Sequence, residues 1–147
     1  MKFTCSVEIN APLNKVVELF DNTDNLKKWQ EGFVSFDTIS GMPGTPGAKS
    51  KIVYNSGKHV IELTETIKTK DLPKEMSAFY EHKHMDNFMS NQFSGIDSSR
   101  TKMEMHVEYT RFGGIMPKLI AVLMPSIFKK QSQKWLENFK AFVEKNH

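Results

Sequence analysis

Cysteine is nearly missing from this sequence, because Cys5 is the only one among 147 residues. A single thiol excludes an intrachain disulfide and fits a reducing compartment, so we expect a cytoplasmic protein. Residues 1–10 alternate polar and apolar side chains and therefore lack the continuous apolar core that a signal peptide needs.

Long apolar runs are also missing. The richest run, residues 115–128, is interrupted by Pro117, Lys118 and Pro125 and is too short to indicate a membrane span, so we expect no stable membrane insertion. Neither sign of charge dominates, since 20 lysine and arginine residues stand against 17 aspartate and glutamate residues and the two are interspersed. This balance does not favour nucleic acid as a partner.

The motifs of several common active sites are absent as well. The loop 41–47, GMPGTPG, is not a phosphate-binding loop because it lacks the GKS or GKT ending and no helix follows it. No GxSxG is present, and Cys5 falls in the apolar phase of its strand, which favours a structural thiol. His82 and His84 have a metal-like spacing, but a third ligand is not obvious because His106 alternates with apolar positions. We expect no metal and no cofactor.

Methionine and phenylalanine are abundant by contrast, with 9 and 11 copies. Such soft apolar bulk is typical of a core that repacks easily or of a cavity that adapts to its ligand. Composition leaves both interpretations open.

Most of the chain has the patterns of strands, with two short helices after the first one. The first helix carries Val16, Val17 and Phe20, and the second carries Leu26 and Trp29. Turn residues separate the strands, including a predicted turn at residues 95–97. The orientation of 33–40 and of 86–93 stays open. The predicted strands are 2–9, 33–40, 49–55, 59–68, 75–84, 87–93 and 100–111.

The last third of the chain predicts a long amphipathic helix, which Pro125 would kink or divide in two. The opposite side of this helix is rich in lysine and glutamate. We therefore expect one α+β domain, residues 1–147, in which a curved antiparallel sheet of about seven strands wraps around the C-terminal helix. The apolar stripe consists of Phe128, Trp135, Leu136, Phe139, Phe142 and Val143.

Several weak motifs now point to a family. They are Ala11-Pro12 after the first strand, Asp21, Trp29 at the end of the second helix, the loop 41–47 before a lysine-rich strand, Glu65 and Ile67 before Asp71-Leu72-Pro73, the Thr101 to Met105 strand, and Leu136, Phe139, Lys140 and Glu144 near the end. In this order they resemble the START-like, or SRPBCC, superfamily, which includes the polyketide cyclase/dehydrase group, lipid-transfer domains and the major birch pollen allergen.

The resemblance implies a helix-grip fold with an apolar cavity between sheet and helix. Members bind lipids, sterols, polyketides or plant hormones, some cyclise or dehydrate polyketides, and others assist chaperones or assembly. Fold analogy alone does not choose among these activities. We expect binding, or transport, of a small hydrophobic ligand such as a lipid or polyketide. The alternatives are an enzyme of the polyketide cyclase/dehydrase kind and a protein-interaction module whose own side chains fill the cavity.

Candidate ligand-binding residues are the polar and aromatic side chains on faces assigned to the interior, because an apolar pocket orients its ligand with a few polar groups. The alternative for each is a core residue with a local partner. If Glu65 lies beside His82, the two would supply an acid/base pair for cyclisation or dehydration. The candidates are Trp29, Tyr54, Glu65, Tyr80, His82, Asn91, Met105, Phe128 and Trp135.

Residues 115–124 have almost no polar side, and a helix that is apolar all round is buried or meets something else. Four interpretations stay open. These residues are buried under the rim of the sheet, form a lid over the cavity, make a homodimer contact, or touch a membrane transiently.

Overall fold

Seven strands and four helices make up the computed structural model, which describes residues 1–147. The strands are β1 (Lys2–Ile9), β2 (Phe33–Ser40), β3 (Lys49–Ser56), β4 (His59–Asp71), β5 (Glu75–His82), β6 (Met85–Asp97) and β7 (Arg100–Phe112). The helices are α1 (Leu13–Asp21), α2 (Leu26–Trp29), α3 (Ile115–Leu123) and α4 (Ser126–Lys145), and a 3₁₀ turn (Thr23–Asn25) precedes α2.

All seven strands form one antiparallel sheet in the order β1-β7-β6-β5-β4-β3-β2. Strands β2 to β7 follow one another as a meander, which short turns permit between antiparallel neighbours. β1 then pairs with β7, the last strand. The predicted α+β helix-grip architecture is confirmed.

The predicted C-terminal ends of three strands are wrong. β4 continues to Asp71 instead of ending at residue 68. β6 continues through the predicted turn at 95–97, and the chain reverses at residues 98–99 instead. The carboxylate of Asp97 explains this position, because it accepts hydrogen bonds from Ser99 and from Arg100 and so stabilises the reversal after itself. β5 ends at His82, two residues earlier than predicted, so that His84 lies outside the strand.

The orientation of β2 follows from its pairing with β3. Phe33 lies opposite Tyr54 and Phe36 lies opposite Ile52, so all four side chains face the concave side of the sheet. Val34 is an extra residue in β2, and it changes the phase of the alternation. Both faces of β2 therefore contain apolar residues, which is why its sequence did not reveal its orientation.

Another extra residue, Lys68, occurs in β4. Ile67 lies opposite Ala78 and Thr69 lies opposite Ser77, so Lys68 has no partner on β5. The register of the N-terminal part of β4 relative to β5 is therefore displaced by one residue.

Helix α4 packs mainly against β1 and buries four members of the predicted apolar stripe, whereas Phe128 and Trp135 are half-buried. Leu136, Phe139 and Val143 are fully buried, and the Phe139 ring lies 5.1 Å from Trp29 and 5.8 Å from Phe20 between ring centroids. The continuous core joins α4 to α1, α2, β1, β6 and β7 and contains no residue of β2 to β5. The sheet thus packs against α4 through β1, β6 and β7, at one edge of the sheet.

The C-terminal segment is divided at Pro125, as one of the two predicted alternatives stated. No residue of α3 is buried, and the side chains of Ile115 and Val122 are 78% and 77% exposed. The interpretation that these residues are buried under the rim of the sheet is therefore wrong, because the fold provides no element that covers the outer side of α3. None of the four helices is long and apolar enough to cross a membrane.

Candidate functional site

A row of polar side chains crosses the concave face of the sheet from β7 to β2. Each member lies directly opposite the next on the neighbouring strand, so all of them point to the same side. At one end the row begins beside the continuous core, and from there it runs across the half of the sheet that the core does not include. The row consists of Tyr109, Asn87, Tyr80, Glu65, Ser50 and Thr38.

Glu65 and Tyr80 form the centre of this row. The Tyr80 hydroxyl donates a 2.8 Å hydrogen bond to Oε2 of Glu65. Glu65 is only 7% exposed. Burial raises the pKa of the Glu65 carboxyl, and the hydrogen bond from Tyr80 opposes that rise in part. Burial and the neighbouring Glu65 raise the pKa of Tyr80, so the phenol stays protonated and can donate. The pair is suited to holding a polar group or a proton inside an apolar space.

Tyr54 links this centre to the helices. Its hydroxyl donates a 2.7 Å hydrogen bond to Oε1 of Gln30, directly after α2, and its ring lies 5.6 Å from the ring of Trp135 on α4. Burial raises the pKa of Tyr54, and the charge of Glu65 raises it further. Tyr54 therefore connects the sheet to the end of α2 and to α4.

Three buried polar atoms around the concave face have no hydrogen-bond partner in the protein. They are Oδ1 of Asn91 and Nε1 of both Trp29 and Trp135. Buried polar groups are normally paired, because an unpaired one costs about 1–3 kcal/mol. Trp29 lies in the continuous core, so the acceptor of Asn91 and the donor of Trp135 are the groups available to a bound molecule.

Several inward side chains of β3, β4 and β5 are shielded from solvent although they lie outside the continuous core. Ile52, Ile67 and Ala78 are each 3% exposed, and Ser50 is equally buried beside Glu65. Aromatic contact between Tyr54 and Trp135 closes this part of the molecule towards α4. The buried carboxyl consequently lies among apolar side chains in the half of the sheet that α4 does not fill.

Four predicted ligand-binding residues come together here, namely Glu65, Tyr80, Tyr54 and Trp135. Asn91 lies on the same concave face, opposite Met76 of β5. Their part in ligand binding stays a prediction, which their shared position makes specific enough to test.

The other predicted residues do not belong to the group around Glu65. Trp29 and Met105 belong to the continuous core, and Phe128 packs on Tyr109 near the base of α3, with ring centroids 4.9 Å apart. His82 is half-buried at the end of β5, and no hydrogen bond joins it to Glu65, whose partner is Tyr80. The acid/base pair that the structure offers is therefore Glu65 with Tyr80.

Sequence reasoning missed Thr38, Ser50, Asn87 and Tyr109 as members of the polar row. Strand alternation contained the signal, because Ser50 shares a phase with Ile52, and Tyr109 with Val107. Gln30 was also missed, since nothing in its local sequence indicates that it accepts a hydrogen bond from Tyr54.

The histidine pair does not form a metal centre with other ligands. The rings of His82 and His84 are 5.6 Å apart, and no group of three or more histidine, cysteine, aspartate or glutamate side chains has an arrangement that could hold a metal ion. Nδ1 of His82 instead accepts a hydrogen bond from the backbone of His84. Burial, followed by the charge of His84, lowers the pKa of His82.

The raised pKa of Glu65 predicts a pH dependence of stability. Between the ordinary value of 4.5 and its higher folded value, the folded protein binds more protons at Glu65 than the unfolded chain does. Glu65 therefore lowers the free energy of unfolding as the pH rises through that window, and the effect then levels off. We expect the stability of Glu65→Gln relative to the unmodified protein to increase over the same window in urea titrations.

Glu62→Gln is the matched control, because Glu62 lies on the exposed face of the same strand and pairs with Lys51 at 3.2 Å. A difference between Glu65→Gln and the unmodified protein that is constant with pH would show that burial does not perturb this carboxyl.

Comparison with known proteins agrees with this fold. A family model described as polyketide cyclase/dehydrase and lipid transport matches residues 1–144. No curated protein matches the chain.

Many solved structures share the fold, and three illustrate its range. The Zhui aromatase/cyclase from Streptomyces sp. R1128 has a TM-score of 0.81 at 9% identity, covering 98% of this chain and 93% of its own. Ara h 8.0201 has a TM-score of 0.79 at 15% identity, covering 99% of both chains. A START superfamily protein from Mycobacterium smegmatis has a TM-score of 0.72 at 6% identity, covering 96% and 98%. Likeness at these identities shows the fold alone.

Proposed function

The chain belongs to the polyketide cyclase/dehydrase and lipid transport family, and from this premise we propose that it binds a small, mostly apolar molecule with one polar group. The ligand lies between α4 and the concave face of β3, β4 and β5. Its apolar surface supplies the driving force, about 25 cal/mol per Å² removed from water before ordering costs are subtracted. Its polar group is held by Glu65 and Tyr80.

The observation that carries this proposal is the buried hydrogen bond between Tyr80 and Glu65. A carboxyl among apolar side chains is unfavourable in a domain that needs only a core, since apolar residues of similar size would pack there without a desolvation penalty. Its presence there is explained if a ligand pairs with it. Isolation of Glu65 from the continuous core supports the same conclusion.

Chemistry of the site favours a hydroxyl or a carbonyl on the ligand. Glu65 accepts one hydrogen bond from Tyr80 and has further lone pairs for a ligand hydroxyl. When Glu65 is protonated, it can donate to a ligand carbonyl instead. Asn91 and Trp135 offer an additional acceptor and donor on the same side of the sheet.

Two aromatic compounds of nearly equal size test this proposal, namely naphthol and naphthalene. We expect naphthol to bind about tenfold more tightly in equilibrium dialysis, because only its hydroxyl can pair with the buried carboxyl. Glu65→Leu should abolish this preference while naphthalene binding is retained. Native mass spectrometry of the protein as purified would identify a natural ligand that remains bound.

Glu62→Leu is the control, because it removes a carboxylate from the exposed face of the same strand. Equal binding of the two compounds would sink the role of Glu65 as an anchor. If neither compound binds and no small molecule accompanies the purified protein, the space is filled by the protein's own side chains, and an interaction module becomes the better hypothesis.

A second candidate function is cyclisation of a poly-β-ketone, favoured by the raised pKa of Glu65 and its contact with Tyr80. The Glu65 carboxylate would take a proton from a methylene between two carbonyls, and the carbanion would attack a third carbonyl carbon. The alkoxide would recover the proton from Glu65, and loss of water would follow. A rate of aromatic product formation that Glu65→Gln leaves unchanged would exclude this reaction.

We also propose that the protein acts in the cytoplasm. The supporting observation is Cys5, which is 2% exposed and whose thiol has a pKa raised by burial, so the only cysteine has a packing role and no disulfide. Fractionation of the producing cells would test this location.

A further inference from the structure

We propose that α3 binds to the surface of an anionic lipid bilayer. This inference does not depend on the proposed ligand, because it rests on a different part of the molecule. Its two observations are an outward apolar stripe and a long stretch of chain without a single acidic residue.

The stripe lies on the solvent side of α3. Its members recur at helical spacing, whereas the half-buried residues Pro117, Ile120 and Ala121 occupy the side towards the fold. A surface helix normally shows the opposite arrangement, with its polar side in water. The outward members are Ile115, Met116, Leu119, Val122 and Leu123, which are 44–78% exposed.

Around this stripe the charge is of one sign. Residues 109–136 contain no aspartate or glutamate, and they include one arginine and four lysines. Arg111 pairs with Asp86 and Lys134 pairs with Glu31, which leaves Lys118, Lys129 and Lys130 without an ion pair. Basic residues beside an exposed apolar stripe match a surface whose outer layer is negative and whose interior is hydrocarbon.

A second copy of the chain fits this surface less well. Two copies related by a two-fold axis would place the same basic residues against each other, and like charges at an interface oppose association. A nine-residue helix also offers little of the roughly 800 Å² per partner that a stable interface buries. An anionic bilayer does not repel these basic residues, and it does not require a large protein interface.

The connections of α3 allow it to meet a flat surface. Gly113 and Gly114 precede it, Gly114 has a φ of +89°, and Met124 and Pro125 follow it. Gly113 donates a hydrogen bond to the carbonyl of His84, which fixes the near end of the segment to the sheet. The helix can therefore change its angle to the fold without unfolding the core.

Vesicle flotation tests the proposal with the full chain. We expect binding to phosphatidylcholine vesicles that contain phosphatidylserine, weaker binding as salt is raised, and little binding to phosphatidylcholine alone. Replacing Lys118, Lys129 and Lys130 with glutamine should weaken binding about a hundredfold, at about fivefold per lysine. The double variant Val122→Gln, Leu123→Gln should weaken it at least about tenfold.

Lys27, Lys58 and Lys74 provide the matched control, since all three are exposed, none forms an ion pair, and their replacement by glutamine changes the net charge equally. Retained binding by this control supports α3 as the contact. Equal loss in the control and test variants would overturn the proposal, as would equal binding to both kinds of vesicle. A concentration-dependent dimer that Val122→Gln, Leu123→Gln abolishes, without vesicle binding, would identify a second copy as the partner and also overturn it.

Discussion

Replacing Phe139 with alanine should lower the free energy of unfolding by about 3–5 kcal/mol, because truncation of a buried phenylalanine loses apolar burial and leaves a cavity. Phe139 is completely buried. Its ring contacts Phe20 of α1 and Trp29 of α2, so one side chain joins three helices. Since side chains from α1 and α2 pack around this ring, the surroundings cannot collapse into the cavity without moving a helix.

Urea unfolding followed by circular dichroism measures this loss. Ile127→Ala, in the first turn of α4, is the control on the same helix, and its 44% exposure predicts a loss below about 1 kcal/mol. A loss for Phe139→Ala as small as that of the control would mean that α4 is not held in the way described.

Gly32→Ala is the second substitution with a large expected effect, a loss of about 3 kcal/mol. Gly32 has a φ of +80°, a conformation that costs an alanine about 1–2 kcal/mol. The new Cβ would also collide with the carbonyl oxygen of Asn55, and the backbone hydrogen bond from Asn55 to Gly32, 2.7 Å long, would have to lengthen. This strain adds to the conformational cost because backbone atoms cannot rotate away.

Thermal unfolding checks this prediction, and Gly57→Ala is a close control. Gly57 also has a positive φ, +60°, but no atom lies within 4 Å of the position of an added Cβ. We expect it to lose only about 1–2 kcal/mol. If both alanines had the same effect, the contact with Asn55 would be unimportant. Gly32 matters to the site as well, since it lies between Gln30 and Phe33, which meet Tyr54.

Much of the fold could be predicted from the sequence, because periodicity records which face of an element is buried. The stripe from Leu136 to Val143 and the alternation of Met103, Met105 and Val107 indicate a helix on a sheet, and both contribute to the core. Pro125 marked the division between α3 and α4. Exposure of Val122 and Leu123 could not be predicted, since an apolar sequence states only that a partner is favourable and not whether the fold provides one.

The candidate site could be predicted in its members but not in its pairs. Glu65 shares a face with Leu63 and Ile67, and Tyr80 and His82 share a face with Ala78, so either could have met Glu65. Register decides between them, and register depends on backbone irregularities that periodicity does not reveal. The unpaired atoms of Asn91 and Trp135 were invisible for the same reason, because pairing is a property of three-dimensional neighbours.

Lys68 is the backbone irregularity that sets the register between β4 and β5. Near the β4–β5 turn, Asp71 lies opposite Glu75 and Thr69 lies opposite Ser77. If this register continued along both strands, Glu65 would lie opposite Glu81, an exposed residue. The unpaired Lys68 displaces β4 by one position, and Glu65 meets Tyr80 on the concave side instead. The interior position of the Glu65 carboxyl thus depends on the number of residues between Glu65 and the β4–β5 turn, as well as on residue identity. If residue 68 instead paired regularly with β5, Glu65 would face outward opposite Glu81, and threonines 64 and 66 would face inward. The interior would then be neutral, while the strand order stayed intact.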